Sequence, residues 1–130
     1  IEKMKNKNLL LNSLAVAFGG FIGGVLRAIM MMLFHSNHFP WETIIVNLSG
    51  TFISALFVIL LGKLTKLKQI TADFVMVGIL GAYTTYSTAL VDISQLSILP
   101  ALGYIGISIV GGVTVVLISR VIGHKLVASW

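Results

Sequence analysis

The residues best placed to do chemistry in this sequence form a run of hydroxyl-bearing side chains inside a long apolar stretch. Residues 81–88 read Gly-Ala-Tyr-Thr-Thr-Tyr-Ser-Thr, and β-hydroxyl groups stand at Thr84, Thr85, Ser87 and Thr88. Hydrocarbon tolerates them only where they are paired inside protein or face a polar cavity. Hydroxyls can replace water around an anion, and a helix break at Gly81 would free backbone carbonyls for a cation. A packing helix is the alternative, because Ser and Thr can hydrogen-bond to their own helix.

Further polar residues lie inside other apolar stretches. The amide of Asn47 offers two donors to an anion that sheds water, although a buried asparagine also joins helices, for about 1 kcal/mol. Tyr104 and Ser108 are spaced i, i+4 and so share one helix face, which suits a polar track or plain packing. Arg27 either extends to the membrane interface or faces an aqueous vestibule and attracts anions.

These residues must be positioned by helices in a membrane. The chain has 130 residues, of which 57% are hydrophobic and 10% charged, and its mean hydropathy is +1.02. Soluble proteins carry roughly 25% charged residues. Uncharged runs near the ~20 residues that a helical span needs predict four spans, at about 8–34, 42–62, 73–96 and 99–122. We therefore expect an all-α integral membrane protein with one four-helix domain over 1–130, and a third helix broken mid-membrane.

The first span contains two overlapping small-xxx-small patterns, formed by Gly19, Gly20, Gly23 and Gly24. Small residues at this spacing let helix backbones approach closely, which favours packing over pore lining. The span runs on past Arg27 without a small-residue cleavage site. We therefore expect it to be kept rather than removed as a signal peptide.

Basic residues are concentrated on one side of the predicted bundle. Of nine Lys and Arg residues, all but Arg27 lie before the first span, between the second and third, or at the end of the fourth: Lys3, Lys5, Lys7, Lys63, Lys66, Lys68, Arg120 and Lys125. The connectors on the other side contain none. The positive-inside rule then places both termini in the cytoplasm. A role of these residues in setting the orientation of the chain is favoured over a lipid-binding patch. It also explains the net charge of +5, so nucleic-acid binding need not be invoked.

Several classes of function lack the residues they need. The chain has no cysteine, which excludes disulfides, thiol catalysis and cysteine metal sites. Its three histidines lie outside the predicted spans, so no nucleophile–base pair supports an enzyme. The acidic residues Asp73, Asp92 and Glu42 lie at span edges or in a loop. A proton-coupled carrier or a small multidrug exporter would need a carboxylate buried within a span.

Three motifs, in this order, give the chain a resemblance to the small bacterial fluoride channels of the Fluc or CrcB family. They are the glycine-rich run 19–27 ending in arginine, Trp-Glu-Thr-Ile-Ile-Val-Asn-Leu-Ser-Gly at 41–50, and the hydroxyl run at 81–88. The third is the most specific, since the family typically shows Gly-Gly-x-Thr-Thr-Phe-Ser-Thr-Phe there. The resemblance covers nearly the whole chain. It implies a fluoride-selective passive channel, an antiparallel dimer of four-helix subunits in membrane lipid, two pores at the interface and a central structural sodium ion.

The resemblance also implies roles for individual residues. The pore asparagine corresponds to Asn47, the vestibule arginine to Arg27 and the polar track of the fourth helix to Tyr104 and Ser108. The sodium ligands correspond to the backbone carbonyls of Gly81 and Thr84. The hydroxyls of Thr85, Ser87 and Thr88 are candidates to replace water around fluoride. The two pore phenylalanines correspond to Tyr86 and Ala89.

The sequence departs from the family at these aromatic positions. Ring edges carry partial positive charge and face the ion in the family. Tyr86 adds a hydroxyl to its ring, and Ala89 has no ring. In addition, the strong charge bias predicts insertion in one orientation only, whereas an antiparallel homodimer needs both. We therefore expect one half of a heterodimer with a paralogous subunit of opposite bias. A non-conducting or half-functional partner subunit is the alternative.

Overall fold

A computed structural model describes residues 2–63 and 68–130. Its helices are α1 (Glu2–Leu33), α2 (Trp41–Lys63), α3 (Gln69–Ala72), a π-helical segment (Asp73–Leu80), α4 (Gly81–Tyr83), α5 (Ser87–Gln95) and α6 (Ile98–Ala128). These described ranges contain no strand. Four helical stretches are long and apolar enough to cross a membrane: α1, α2, the third span (Gln69–Gln95) and α6. The prediction of an all-α, four-span membrane protein is confirmed.

The helices extend beyond the limits that hydropathy predicts. The first begins at Glu2 rather than near residue 8, and the last continues to Ala128 rather than ending near residue 122. Hydropathy marks where apolar side chains stop, but backbone hydrogen bonding continues through good helix formers such as Lys and Leu. Residues 64–67 of the predicted basic connector, including Lys66, lie outside the described residues.

α1 packs against the third span along one stripe of small residues. A Cβ added to Gly23 would occupy the position of the carbonyl oxygen of Ile79, and one added to Gly19 would meet the backbone of the same span. Gly20 and Gly24 have no atom within 4 Å of the place that a Cβ would take. Gly19 and Gly23 thus permit close helix packing, as predicted. Gly20 and Gly24 take no part in this contact.

α2 and α6 form the second helix pair. Gly111 of α6 accommodates Leu48, and further along Gly123 accommodates Ile59. Because the residue numbers rise together, the two helices run parallel. Between these contacts Ser119, which is fully buried, donates its Oγ hydrogen to the carbonyl of Phe52 at 2.9 Å. Residues of these two helices also line a groove.

The third span loses helical geometry between Tyr83 and Ser87. Thr84 is extended, with φ −74° and ψ 155°. Gly81 is helical, with φ −62° and ψ −39°. The predicted break of the third span is therefore present and lies within residues 81–88, although Gly81 itself is helical. No described residue has a positive φ, so the break does not depend on the conformational freedom of glycine.

Candidate functional site

A groove of ≈ 560 Å³ lies between α2, the break and α6. It brings together six of the eight residues that the sequence predicts for a pore: Asn47, Thr85, Tyr86, Ala89, Tyr104 and Ser108. Ser87 and Thr88 do not line it. The side chains come from three separate helical segments, so the groove exists only because α2 and α6 hold the break between them.

Asn47 binds both backbone groups of one residue in the break. Its Nδ2 donates to the carbonyl oxygen of Thr85 at 2.9 Å, and its Oδ1 accepts from the N–H of Thr85 at 2.8 Å. Thr85 is only 8% exposed, so these groups would otherwise be buried and unpaired. An asparagine amide has two N–H donors, and this contact uses one. Asn47 therefore joins two helices and keeps one donor for a ligand in the groove.

This contact changes the bonding of the two carbonyls implied as sodium ligands. In an unbroken helix the N–H of Thr85 would reach the carbonyl of Gly81, and that of Thr88 would reach Thr84. Instead, Thr85 donates to Asn47, and Thr88 donates to the hydroxyl of Thr85 at 3.2 Å. The carbonyls of Gly81 and Thr84 have thus lost their helical donors. Carbonyl oxygens in this state are chemically suited to a monovalent cation.

The hydroxyl of Thr85 serves the helix that follows the break. It accepts from the N–H of Thr88 and donates to the Oγ1 of Thr88 at 2.9 Å, as an N-capping side chain does. Its hydrogen is therefore occupied within the protein rather than free for an ion. The hydroxyl of Ser87 is exposed outside the groove. Of the three hydroxyl residues considered as substitutes for water, only Thr85 lines the groove, and its hydroxyl is bonded to Thr88.

The two aromatic positions of the groove differ in character. Tyr86 is 78% exposed, so its ring stands free at the groove edge, and Ala89 leaves the second position without a ring. Tyr104 is buried, with its ring 5.9 Å from that of Phe39. Ser108 follows one turn later on the same wall. Tyr104 and Ser108 of α6 thus line the same groove as the residues of the break.

Arg27 does not line this groove. It follows Gly23 by four residues and so continues, one turn further, the stripe of α1 that packs on the third span. α1 also contacts α4, which immediately precedes the break. The half-buried arginine therefore belongs to the helix face that packs on the third span, outside the groove.

Three residues to which the sequence reasoning gave no role, two in α2 and one in α4, support the break. The hydroxyls of Ser49 and Tyr83 lie 2.8 Å apart and form a hydrogen bond. A Cβ on Gly50 would overlap the Cγ2 of Thr84 and approach the ring of Tyr83 to 3.2 Å. Gly50 thus permits the close approach that the Asn47 contact requires. The signal was present in the Asn-Leu-Ser-Gly sequence at 47–50.

A polar cluster lies at one end of the groove, beside the hydroxyl of Tyr104. Glu42, Thr43 and Asp92 each have a buried oxygen without a hydrogen-bond partner among the described residues. Glu42 belongs to the first turn of α2, with 12% of its side chain exposed, and His35 approaches it at 3.5 Å. The expectation that Glu42 lies in a loop is therefore wrong. None of these three residues lines the groove itself, and within the part of the chain that the structure describes its lining contains no carboxylate.

A four-span helical membrane protein whose broken helix borders a groove with polar side chains in its wall has the architecture of a channel or transporter. The chain belongs to the CrcB family: residues 14–120 match the family described as "CrcB-like protein, Camphor Resistance (CrcB)".

Similar proteins with assigned names include "Fluoride-specific ion channel FluC 2" of Listeria innocua, which is 31% identical over 87% of this chain and 91% of its own length. A protein with the same name from Nocardia farcinica is 33% identical over 71% of this chain and 70% of its own. "Fluoride-specific ion channel FluC" of Shewanella halifaxensis is 40% identical over 59% of this chain and 64% of its own. These relatives are named as ion channels and not as enzymes.

Proposed function

We propose that this chain is a subunit of a fluoride-selective passive channel, which exports cytoplasmic fluoride and relieves its toxicity. The observation that carries the proposal is the groove, where Asn47 holds the break open and retains a free N–H donor. The names of the relatives in the same family support fluoride as the ion. They give no support to a small multidrug exporter.

Passage of fluoride requires that protein groups replace its water. The free N–H of Asn47, the hydroxyl of Ser108 and the positive ring edge of Tyr86 are donors along one path, beside the buried ring of Tyr104. Arg27 raises the local concentration of anions near the broken segment. Hydrogen fluoride enters a cell as the neutral acid and dissociates inside. An inside-negative potential then drives the anion out, with about 2.3 kcal/mol per charge for each 100 mV.

The working unit is an antiparallel dimer with a paralogous subunit, in a bacterial inner membrane. The groove supports this assembly, because it is open on one side and lacks a second aromatic ring at Ala89, which a partner could supply. Eight basic residues on one predicted side support insertion with both termini in the cytoplasm. A partner of opposite charge bias would insert the other way up.

A structural sodium ion, which is not transported, would be held by the carbonyls of Gly81 and Thr84. Their loss of helical donors supports this assignment. The carbonyls at the corresponding two positions of the antiparallel partner would complete the shell of oxygen atoms around the ion. The ion would supply positive charge that fixes the break of each subunit against the other.

The test is fluoride efflux from potassium-loaded liposomes, measured with a fluoride electrode after addition of a potassium ionophore. Liposomes receive either this chain alone or this chain with the proposed paralogous subunit, its companion. Rapid fluoride efflux with chloride retained supports the channel. Efflux only with the companion identifies this chain as the half-functional partner, whose pore the companion completes. Absence of fluoride efflux in both preparations, or equal loss of chloride, refutes the proposed function.

A further inference from the structure

The groove continues into a second cavity toward the other end of α2 and α6. This cavity, of ≈ 540 Å³, shares Thr51 and Ser54 with the first one. Its far wall is formed by Arg120 and His124 of α6. The two basic residues are spaced i, i+4, so they face the cavity from successive turns of one helix.

The electrostatics of this cavity favour an anion. The chain has four acidic residues, Glu2, Glu42, Asp73 and Asp92, and none lines the cavity. The guanidinium of Arg120 is always protonated, and a neutral imidazole still offers one N–H donor. The negative end of the helix dipole falls off within the last turn, and Arg120 lies two turns before Ala128.

The role of basic residues in orienting the chain in the membrane does not by itself explain which basic side chains face the cavity. Lys125 is adjacent to His124 in sequence but does not line the cavity. Lys63 turns to the carbonyl of Val127, at 3.2 Å. Any basic residue at this end would satisfy the positive-inside rule. Arg120 and His124 instead stand where the polar wall formed by Ser54 and Thr51 begins.

We propose that Arg120 and His124 form a binding site for small anions, at which fluoride first leaves bulk water before it reaches Asn47. The inference rests on the proposed function for the identity of the anion. An anion that moves inward from this site first contacts Arg120 and His124. It then passes the hydroxyls of Ser54 and Thr51 and reaches the amide of Asn47. Charged mouths with low-dielectric walls raise the local concentration of their counter-ion by about tenfold or more. The same groups could instead hold the phosphate of a lipid head group.

The absence of native cysteine permits a test that needs no conduction. His124→Cys and, as the matched control, Lys125→Cys are each made in the full chain and placed in neutral phosphatidylcholine liposomes, with the companion subunit where assembly needs it. The rates of modification by sulfonate-bearing and trimethylammonium-bearing methanethiosulfonates are compared. We expect the anionic reagent to be favoured about tenfold more at position 124 than at 125. Arg120→Gln in the His124→Cys background should remove that preference.

Fluoride should slow the anionic reagent at position 124 and not at 125, with gluconate at equal ionic strength as the reference. Equal preferences at the two positions, or no effect of Arg120→Gln, overturn the site. If the thiol at position 124 is protected from the anionic reagent only when anionic phosphatidylglycerol is added, the basic residues bind lipid head groups. That result also overturns the proposed site for small anions. In the efflux assay, Arg120→Gln should raise the half-saturating fluoride concentration, while Lys125→Gln should not. Lack of efflux by the unmodified protein counts against the proposed function, whereas the thiol rates still decide the anion site.

Discussion

Replacement of Asn47 by alanine should disable the channel by releasing the break. The change removes the bonds of 2.9 and 2.8 Å that satisfy the carbonyl and N–H of Thr85. Thr85 is 8% exposed, so both groups would remain buried without partners. Each such group costs about 1–3 kcal/mol, and even a combined cost of about 2 kcal/mol lowers the population of the observed arrangement about 30-fold. We therefore expect fluoride efflux to fall at least about 30-fold.

The assay is the liposome efflux measurement, with the companion subunit where conduction needs it. Asn12→Ala is the matched control, because Asn12 also makes an interhelical bond, to Asp73 at 3.0 Å, but lies outside the groove. Asn47→Asp keeps an acceptor for the N–H of Thr85 but removes both N–H donors, one of which binds the carbonyl of Thr85, and adds negative charge. We expect fluoride efflux by Asn47→Asp to fall at least as far as that by Asn47→Ala. Efflux by Asn47→Ala within about threefold of Asn12→Ala, about 0.7 kcal/mol, would refute the reasoning.

Three further predictions concern packing, the missing ring and the helix cap. Gly23→Ala should destabilise the protein by about 1–3 kcal/mol in detergent melts, because its Cβ meets the carbonyl of Ile79, whereas Gly24→Ala should stay within about 0.5 kcal/mol. Equal melting of the two variants would contradict the packing described. Ala89→Phe should raise fluoride efflux by this chain together with the paralogous subunit, and unchanged efflux would show that the missing ring is not limiting. Thr85→Val should cost about 1 kcal/mol relative to Thr85→Ser, since only serine keeps the cap; equal stability in the same melts would remove that role.

The number of spans could be predicted from the sequence because hydropathy alone decides which segments enter a bilayer. The helix ends could not, because Glu2 and Ala128 belong to turns that continue outside the apolar core. The packing face of α1 was only half predictable. Gly19 and Gly23 contact the third span while Gly20 and Gly24 do not, and the glycine pattern alone is symmetric between these two pairs.

The position of the break shows where local sequence reasoning stops. Gly81 is the residue with the greatest backbone freedom in the segment, yet it is helical. The helix opens at Thr84 because Asn47, 38 residues from Thr85 along the chain, takes the hydrogen bonds that would have continued it. A contact of that separation has no local signature. The cap formed by Thr85 on the N–H of Thr88 was readable, since threonine three residues ahead is a usual start signal for a helix.

The charges at the two ends of the helix pair α2 and α6 bear on which chain can pair with this one. Glu42 lies in the first turn of α2, whereas Arg120 and His124 line the second cavity toward the other end of the pair. An antiparallel second copy would bring the basic end of one subunit beside the acidic end of the other, so interface electrostatics would accept a homodimer. The basic residues on one predicted side oppose the inverted insertion that such a copy needs. Selection of the partner would then take place at membrane insertion rather than at the interface, and the companion subunit should carry its Lys and Arg in the connectors that correspond to residues 34–40 and 96–97 here.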